Sequence, residues 1–122
     1  MIRHLANSRR IGAQALSVAL MLGHATLSQP AFSQEAPSVK LTLKNHRFEP
    51  AEPHAAANKP FAIEVTNLDS TPAEFESKTL RVEKVIAANS TVSVQIRALA
   101  PGRYRFFDDY HEDTTEGFLV VQ

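Results

Sequence analysis

Two side chains able to bind a metal ion, Asp108 and His111, lie in an acid-rich segment near the C-terminal end of the chain, residues 103–116. Aromatic residues alternate with arginines over residues 103–106, which is the period-two pattern of a strand with one buried face. The same register places Asp108 on the core side at the end of this strand. A buried carboxylate must be hydrogen-bonded, paired or bound to a cation, because burying it alone is too costly.

Carboxylates combined with one imidazole suit a borderline cation such as Cu(II), Fe(II) or Mn(II), and fit Zn(II) less distinctively. Asp108 and His111 can place two donors on one loop. Glu74, from a neighbouring predicted strand, can complete a facial set of ligands with open positions, and Glu76 is a weaker candidate. Asp108, His111, Glu74 and Glu76 are therefore the candidate ligands of a metal site.

Simpler interpretations exist for each of these residues. An acidic loop is often only a solvated, charge-rich turn. Glu76 can be an outward strand residue or an ion-pair partner of Arg103 or Arg105. His46 and His54 lie in or beside a proline-rich segment and are typical of exposed histidines, although His46 can reach a site at that end of the domain.

The N-terminal segment predicts an export signal, residues 1–33. Three arginines precede a short apolar stretch, and the small residues at positions 31–33 predict cleavage before Gln34. The apolar stretch is too short and too interrupted for a membrane-spanning helix. We expect one exported mature domain, residues 34–122.

The amino-acid composition argues against several classes of function. The whole chain has 13 basic and 13 acidic residues, and the predicted signal holds three arginines and no acid, so the mature domain has a formal charge of −3. This charge argues against nucleic acid as a partner. The chain has no cysteine, which excludes disulfides and thiolate ligands. It also lacks a Gly-x-Ser-x-Gly elbow and a glycine-rich phosphate loop, which argues against a classical hydrolase.

The mature chain has no sustained helical periodicity. Short alternating segments near residues 39–43, 61–65, 92–96 and 103–106, followed by residues 117–121, are joined by turn signals and predict an all-β sandwich. Residues 45–60 contain three prolines and predict loop or edge strand. The Leu-x-Pro-Gly-x-Tyr segment ending at Tyr104 is typical of the tyrosine corner of a Greek-key sandwich.

Most of the mature chain resembles the cupredoxin superfamily, which implies a cupredoxin-like Greek-key β-sandwich. Ala73 stands at the position of a histidine of electron-transfer cupredoxins, and Asp108 at that of their cysteine. A blue-copper centre needs the thiolate, so this function is excluded. The segments that carry the resemblance are Phe48-x-Pro50, Asn67-x-Asp69, Pro72-Ala73-Glu74-Phe75, Leu99-x-Pro101-Gly102-x-Tyr104, Phe107-Asp108 and Gly117-Phe118-Leu119-Val120-Val121.

Residues 74–77, 106–111 and 115–117 are similar to the periplasmic cupredoxin-like subunits of bacterial ferrous-iron uptake systems of the Ftr and Efe type. In Efe-type relatives a glutamate lies at the position of Glu74, and thiols lie near the positions of Phe48 and Asp108. The resemblance implies a bound copper or iron ion, an iron permease and other subunits as partners, and a role in oxidising iron or handing it over. It leaves open whether the protein is an enzyme or only a binding and electron-transfer protein.

Two other functions remain open at this point. In the first, the protein binds no metal, and the acidic loop docks against a basic face of a transporter subunit. In the second, the protein is a periplasmic copper carrier unrelated to iron. Metal titration separates the first from the metal-binding interpretation.

Overall fold

The computed structural model describes residues 37–122 together with the isolated residues 12, 28 and 30. The predicted signal peptide, residues 1–33, therefore lies outside the described residues except at those three positions. One compact unit spans Ser33–Gln122. In the part of the chain that the structure describes, no helix has the length and apolar character needed to cross a membrane.

Nine strands and one short 3₁₀ helix make up this unit, and no α-helix occurs between residues 37 and 122. Alternating apolar residues form most of the strands, as the sequence predicts. The 3₁₀ helix, Asp109–His111, lies between the last two strands. The strands are β1 (Ser38–Lys44), β2 (Arg47–Glu49), β3 (His54–Ala55), β4 (Phe61–Asn67), β5 (Ala73–Ser77), β6 (Val82–Ile86), β7 (Ser90–Ile96), β8 (Gly102–Asp108) and β9 (Glu116–Val121).

The strands form two sheets, with the orders β2-β1-β4-β7 and β3-β9-β8-β5-β6. β1 runs parallel to β4 and β3 runs parallel to β9, whereas the other neighbours are antiparallel. This arrangement confirms the predicted all-β sandwich. The proline-rich segment contributes the short edge strands β2 and β3, in agreement with the prediction of loop or edge.

Three phenylalanines from both sheets meet in the core. The ring centroid of Phe48 lies 6.1 Å from that of Phe75 and 5.1 Å from that of Phe106, with nearly perpendicular planes. Such edge-on pairs add about 0.5–1.5 kcal/mol each beyond the apolar area they bury. The backbone of Gly117 passes so close to the Phe106 ring that a Cβ atom there would lie 2.3 Å from it. The core therefore requires glycine at this position.

The tyrosine corner is also present. The Tyr104 hydroxyl donates to the carbonyl oxygen of Ala100 at 2.8 Å. Tyr104 lies near the start of β8 and Asp108 is its last residue, about 13 Å away at the usual rise per strand residue. The corner therefore fixes the end of β8 that is remote from the acid-rich segment.

Candidate metal centre

Asp108 is the last residue of β8, and its side chain is only 1% exposed. Its Oδ1 accepts hydrogen bonds from the backbone amides of Glu74 at 2.9 Å and Tyr110 at 3.1 Å. Its Oδ2 lies 3.1 Å from Nδ1 of His111. The prediction that Asp108 faces the core is confirmed, and hydrogen bonds compensate for the burial of its carboxylate.

The loop after β8 folds back so that His111 reaches Asp108. Asp108 caps the 3₁₀ helix through its bond to the Tyr110 amide. The amides of Thr114 and Thr115 donate to the carbonyl oxygen of His111, at 3.1 and 2.9 Å, and the Asp108 amide donates to the carbonyl of Thr115 at 2.9 Å. These bonds close the loop and fix the backbone position from which the His111 side chain extends.

His46 approaches the same place from the other sheet. It is the second residue of the Asn45-His46 turn between β1 and β2, where both residues have positive φ angles of 51° and 55°. This is the conformation of a two-residue type I′ hairpin. The ring centroids of His46 and His111 are 4.1 Å apart, with planes inclined by 36°. One donor atom from each of His46, Asp108 and His111 lies within 4.8 Å of the others, and we call this set the histidine–aspartate cluster.

The predicted ligand set did not include His46, although the sequence placed it at this end of the domain. A short Asn-His turn between alternating segments was the signal that could have identified the hairpin. Both imidazoles are reachable from solvent, since the side chains of His46 and His111 are 45% and 38% exposed. A metal ion can therefore approach the cluster without any opening of the core.

Asp69 supports the turn that carries His46. Its Oδ1 accepts from the Asn45 amide at 2.6 Å, and its Oδ2 accepts from the His46 amide at 2.9 Å. The same Oδ2 is 3.8 Å from Nδ1 of His46. Burial acts to raise the pKa of Asp69, but the two backbone hydrogen bonds and the nearby imidazoles of His46 and His111 outweigh it, so the pKa is lowered.

Glu74 and Glu76 lie in a different group of carboxylates. Because Phe75 is paired with Asp108 across the two strands, these two side chains share the inner face of the sheet. Glu74 and Glu76 alternate with Phe75 along β5 and therefore point to the outer face. There they lie with Asp109, with one oxygen from each residue within 4.8 Å of the others. We call Glu74, Glu76 and Asp109 the acidic cluster.

The pKa values of both glutamates of the acidic cluster are raised. A side-chain hydrogen bond with Glu83, followed by partial desolvation, raises the pKa of Glu74. Desolvation and then the charge of Asp109 raise the pKa of Glu76. The structure thus brings Asp108 and His111 together and separates Glu74 and Glu76 from them. The assignment of the two glutamates as ligands stays a prediction.

The ion-pair interpretation of Glu76 is wrong. Arg103 pairs with Glu52 at 2.7 Å. Arg105 pairs with Glu116 at 2.6 Å and with Glu112 at 3.2 Å. These partners lie on β9 and in surface loops, so neither arginine is available to Glu76.

Residues 16–121 match the sequence model of the family described as the cupredoxin-like domain. This chain belongs to that family. The cupredoxin-like domain is 35% identical over 83 residues to an uncharacterized protein of Rickettsia prowazekii (strain Madrid E). That match covers 68% of this chain and 66% of the relative, so it spans slightly less than two thirds of the relative's length.

Solved structures share the fold of this cupredoxin-like domain at low sequence identity. The metal-binding domain of the Cu(I)-exporting P-type ATPase CopA of Streptococcus pneumoniae, solved with Cu(I), superposes with a TM-score of 0.62 at 13% identity, over 70% of this chain and 84% of that one. Auracyanin A, a "blue" copper protein of Chloroflexus aurantiacus, gives 0.60 at 16% identity, over 70% and 98%. A mutant fern plastocyanin gives 0.55 at 19% identity, over 68% and 99%.

The donors of this cupredoxin-like domain fit a cation bound by nitrogen and oxygen. When neutral His111 donates its Nδ1 proton to Asp108, the lone pair lies on Nε2, where a metal ion can bind. A carboxylate behind a ligating imidazole is a common arrangement in metal sites because it fixes the tautomer and the ring orientation. Without any cysteine, the domain cannot form the thiolate-ligated blue-copper centre. Two imidazoles, one of them supported by a carboxylate, instead suit Cu(II), Fe(II) or Zn(II).

Proposed function

We propose that this cupredoxin-like domain is an exported metal-binding protein that assists high-affinity ferrous-iron uptake. The observation that carries the proposal is the approach of two imidazoles, His46 and His111, beside a buried carboxylate that is hydrogen-bonded to one of them. Two separate parts of the chain, the β1–β2 hairpin and the loop after β8, converge there. Such convergence at an accessible edge is typical of a binding site.

Copper is the first candidate for the bound ion. Several proteins with the same fold are described as copper proteins, including auracyanin A and the CopA domain with Cu(I). Imidazole ligands favour Cu(II) over other divalent ions of the first transition series. Iron is the second candidate, since carboxylate and imidazole donors also suit Fe(II).

The iron-uptake role rests on the resemblance to Ftr- and Efe-type subunits, with an iron permease as the expected partner in the periplasm. If the ion is Cu(II), His46 and His111 would hold it, and it would supply a one-electron acceptor for Fe(II); if the ion is iron, the same residues would hold it for transfer to the permease. In either case the role of the protein is to hold the ion at an exposed edge. Asp108 fixes His111, and the exposed imidazole faces leave room for an exchanging ligand.

A metal-free docking module is the alternative from another class, and the acidic cluster is the observation that favours it. Glu74 and Glu76 share the outer face of β5 with an exposed loop that presents Tyr110, which is 48% exposed. A basic partner surface would pair with the carboxylates of Glu74, Glu76 and Asp109, which lie close together on this face. A copper carrier without a link to iron is a third candidate and would use the same histidine–aspartate cluster.

The test is a Cu(II) and Fe(II) titration of the purified protein by calorimetry. We expect one equivalent of metal per chain, and loss of that binding in His111→Ala. His54→Ala is the matched control, because His54 is exposed in β3 and belongs to neither cluster. Equal binding by the parent and both variants would show that the ligand assignment is wrong. An absence of binding in the parent would favour the docking module.

A further inference from the structure

Asp69 directs both carboxylate oxygens at the turn that carries His46. The distances are 2.6 Å from Oδ1 to the Asn45 amide and 2.9 Å from Oδ2 to the His46 amide. Charge-assisted hydrogen bonds of this length are about twice as strong as neutral ones. Asp69 belongs to the Asn67-x-Asp69 segment of the family resemblance, but it is not a member of the histidine–aspartate cluster.

Asp69 is itself fixed to the core. Its amide donates to Oδ1 of Asn67 at 3.0 Å, and its carbonyl accepts from the Asn89 amide at 3.2 Å. Asn67 is fully buried, and its Nδ2 donates to the carbonyl oxygens of Thr71 at 2.9 Å and Ile86 at 3.3 Å. The carboxylate of Asp69 is therefore held in place by residues that do not belong to the hairpin.

The turn needs such an anchor. The left-handed region costs an ordinary L-residue about 1–2 kcal/mol, and His46 adopts it next to Asn45, a residue type that tolerates it. The His46 peptide is held on its other side too, because Thr115 Oγ1 donates to the His46 carbonyl at 2.7 Å. Fixed at its amide and at its carbonyl, His46 has little freedom to carry its ring away from His111.

We propose that Asp69 is a positioning residue of the metal centre: it fixes the Asn45-His46 turn so that the His46 imidazole stays beside that of His111. This inference rests on the proposed metal binding by the two histidines. Its consequence is that the ligands are arranged before the metal ion binds, so loss of Asp69 weakens binding although no ligand is removed. If Asp69 only ties the hairpin together, its loss reduces stability and leaves metal affinity unchanged.

The experiment compares Asp69→Ala and Asp69→Asn with the parent in a competitive Cu(II) titration against a chelator of known affinity. We expect a loss of about 10- to 100-fold in Asp69→Ala, as is usual when a supporting carboxylate is removed. Asp69→Asn should lose less, because one amide oxygen can still accept a backbone hydrogen bond. Tyr104→Phe is the matched control, since it removes a hydrogen bond at the remote end of β8 and should keep the parent affinity.

A double-mutant cycle tests whether Asp69 acts through His46. In the His46→Ala background, the loss of Asp69 should cause no further decrease in Cu(II) affinity, because the ring it positions is gone. In the metal-free protein, the nuclear Overhauser effect between the two imidazole rings should be present in the parent and weakened in both Asp69 variants. If Asp69→Ala does not fold, Asp69→Asn serves for the same comparisons.

The outcomes separate this inference from the proposed function. Copper binding that is lost in His111→Ala but unchanged in Asp69→Ala would overturn the positioning role and leave the proposed function standing. An equal loss from Asp69→Ala with and without His46 would also overturn it. A parent protein that binds no copper would overturn both.

Discussion

The imidazole rings of His46 and His111 lie with their centroids 4.1 Å apart, although one belongs to the β1–β2 hairpin and the other to the loop before β9. Each ring has a carboxylate near its Nδ1 atom. Asp108 is 3.1 Å from that of His111, and Asp69 is 3.8 Å from that of His46. Two adjacent imidazoles at one accessible edge, one of them hydrogen-bonded to a buried carboxylate, are the basis of the metal-binding account.

Replacement of His46 by glycine should separate the stability of the turn from its function. Asn-Gly is the preferred pair in a type I′ turn, and glycine at this φ of 55° removes a strain of about 1 kcal/mol. We expect His46→Gly to be as stable as the parent or more stable, and to bind Cu(II) more weakly. Urea unfolding and calorimetric titration of the same preparation measure both. A glycine variant with parental copper affinity would remove His46 from the site.

Asp108→Asn should keep the fold and impair the site. The amide oxygen can still accept from the Glu74 and Tyr110 amides, but the amide nitrogen would face Nδ1 of His111 as a donor. The proton of His111 then moves to Nε2, and the nitrogen available to a metal ion is lost. Copper affinity should fall while the circular dichroism spectrum is retained.

Asp108→Ala should behave differently from Asp108→Asn. It leaves two amides without their acceptor, which should cost about 2–4 kcal/mol of stability in urea unfolding. Asp113→Asn is the control for both variants, because Asp113 is an exposed acid of the same loop outside both clusters. Parental copper affinity in Asp108→Asn would argue against the tautomer explanation.

The acidic cluster predicts a pH-dependent stability difference. Because the folded-state pKa of Glu76 is raised by desolvation and by Asp109, folding favours the protonated form. The contribution of Glu76 to the free energy of unfolding is fully present below the unfolded pKa of about 4.3. It is lost as the pH rises through the higher pKa of the folded state. Glu76→Gln should therefore raise the melting temperature relative to the parent at pH 7 and not at pH 3.5. Glu49→Gln, at an exposed glutamate of β2, should show no comparable gain at pH 7.

Gly117→Ala should destabilise the core where β9 passes Phe106. The new Cβ atom would lie 2.3 Å from the Phe106 ring and 2.7 Å from the carbonyl oxygen of Ala51. Displacing a packed ring and a backbone oxygen should cost about 1–3 kcal/mol in urea unfolding. Gly102→Ala is the matched control, since its nearest neighbour, the Tyr104 ring, would be 3.5 Å away. Equal stability of the two variants would contradict the packing described here.

Much of the fold can be predicted from the sequence because the patterns that define strands and turns are local. Alternating apolar residues and turn signals are enough to locate most strands, and the register through Phe106 places Asp108 in the core. The site is harder to predict because it depends on which strands are neighbours. The separation of Glu74 from Asp108 follows from the pairing of Phe75 with Asp108, and no local pattern contains that pairing.

The position of His46 beside His111 could not be predicted from the sequence for the same reason. The approach of His46 to His111 requires the β1–β2 hairpin to lie against the loop before β9, and the Thr115 hydroxyl that reaches the His46 carbonyl joins residues far apart in the chain. The prolines that follow His46 also left loop and edge strand as equal alternatives for residues 45–60, so the hairpin formed by β1 and β2 was not predicted. Sequence patterns thus identified candidate donors, whereas the tertiary contacts selected among them.

The most direct test of the account is the number of imidazoles on Cu(II) in the protein at one equivalent, measured by pulsed electron paramagnetic resonance. Nitrogen modulation from two histidines is the predicted result for the parent. His46→Gly and His111→Ala should each reduce the number of coordinated histidines to one, and His54→Ala should leave that number at two. A parent spectrum without histidine nitrogen, or one unchanged by the loss of His46 and of His111, would contradict the central claim.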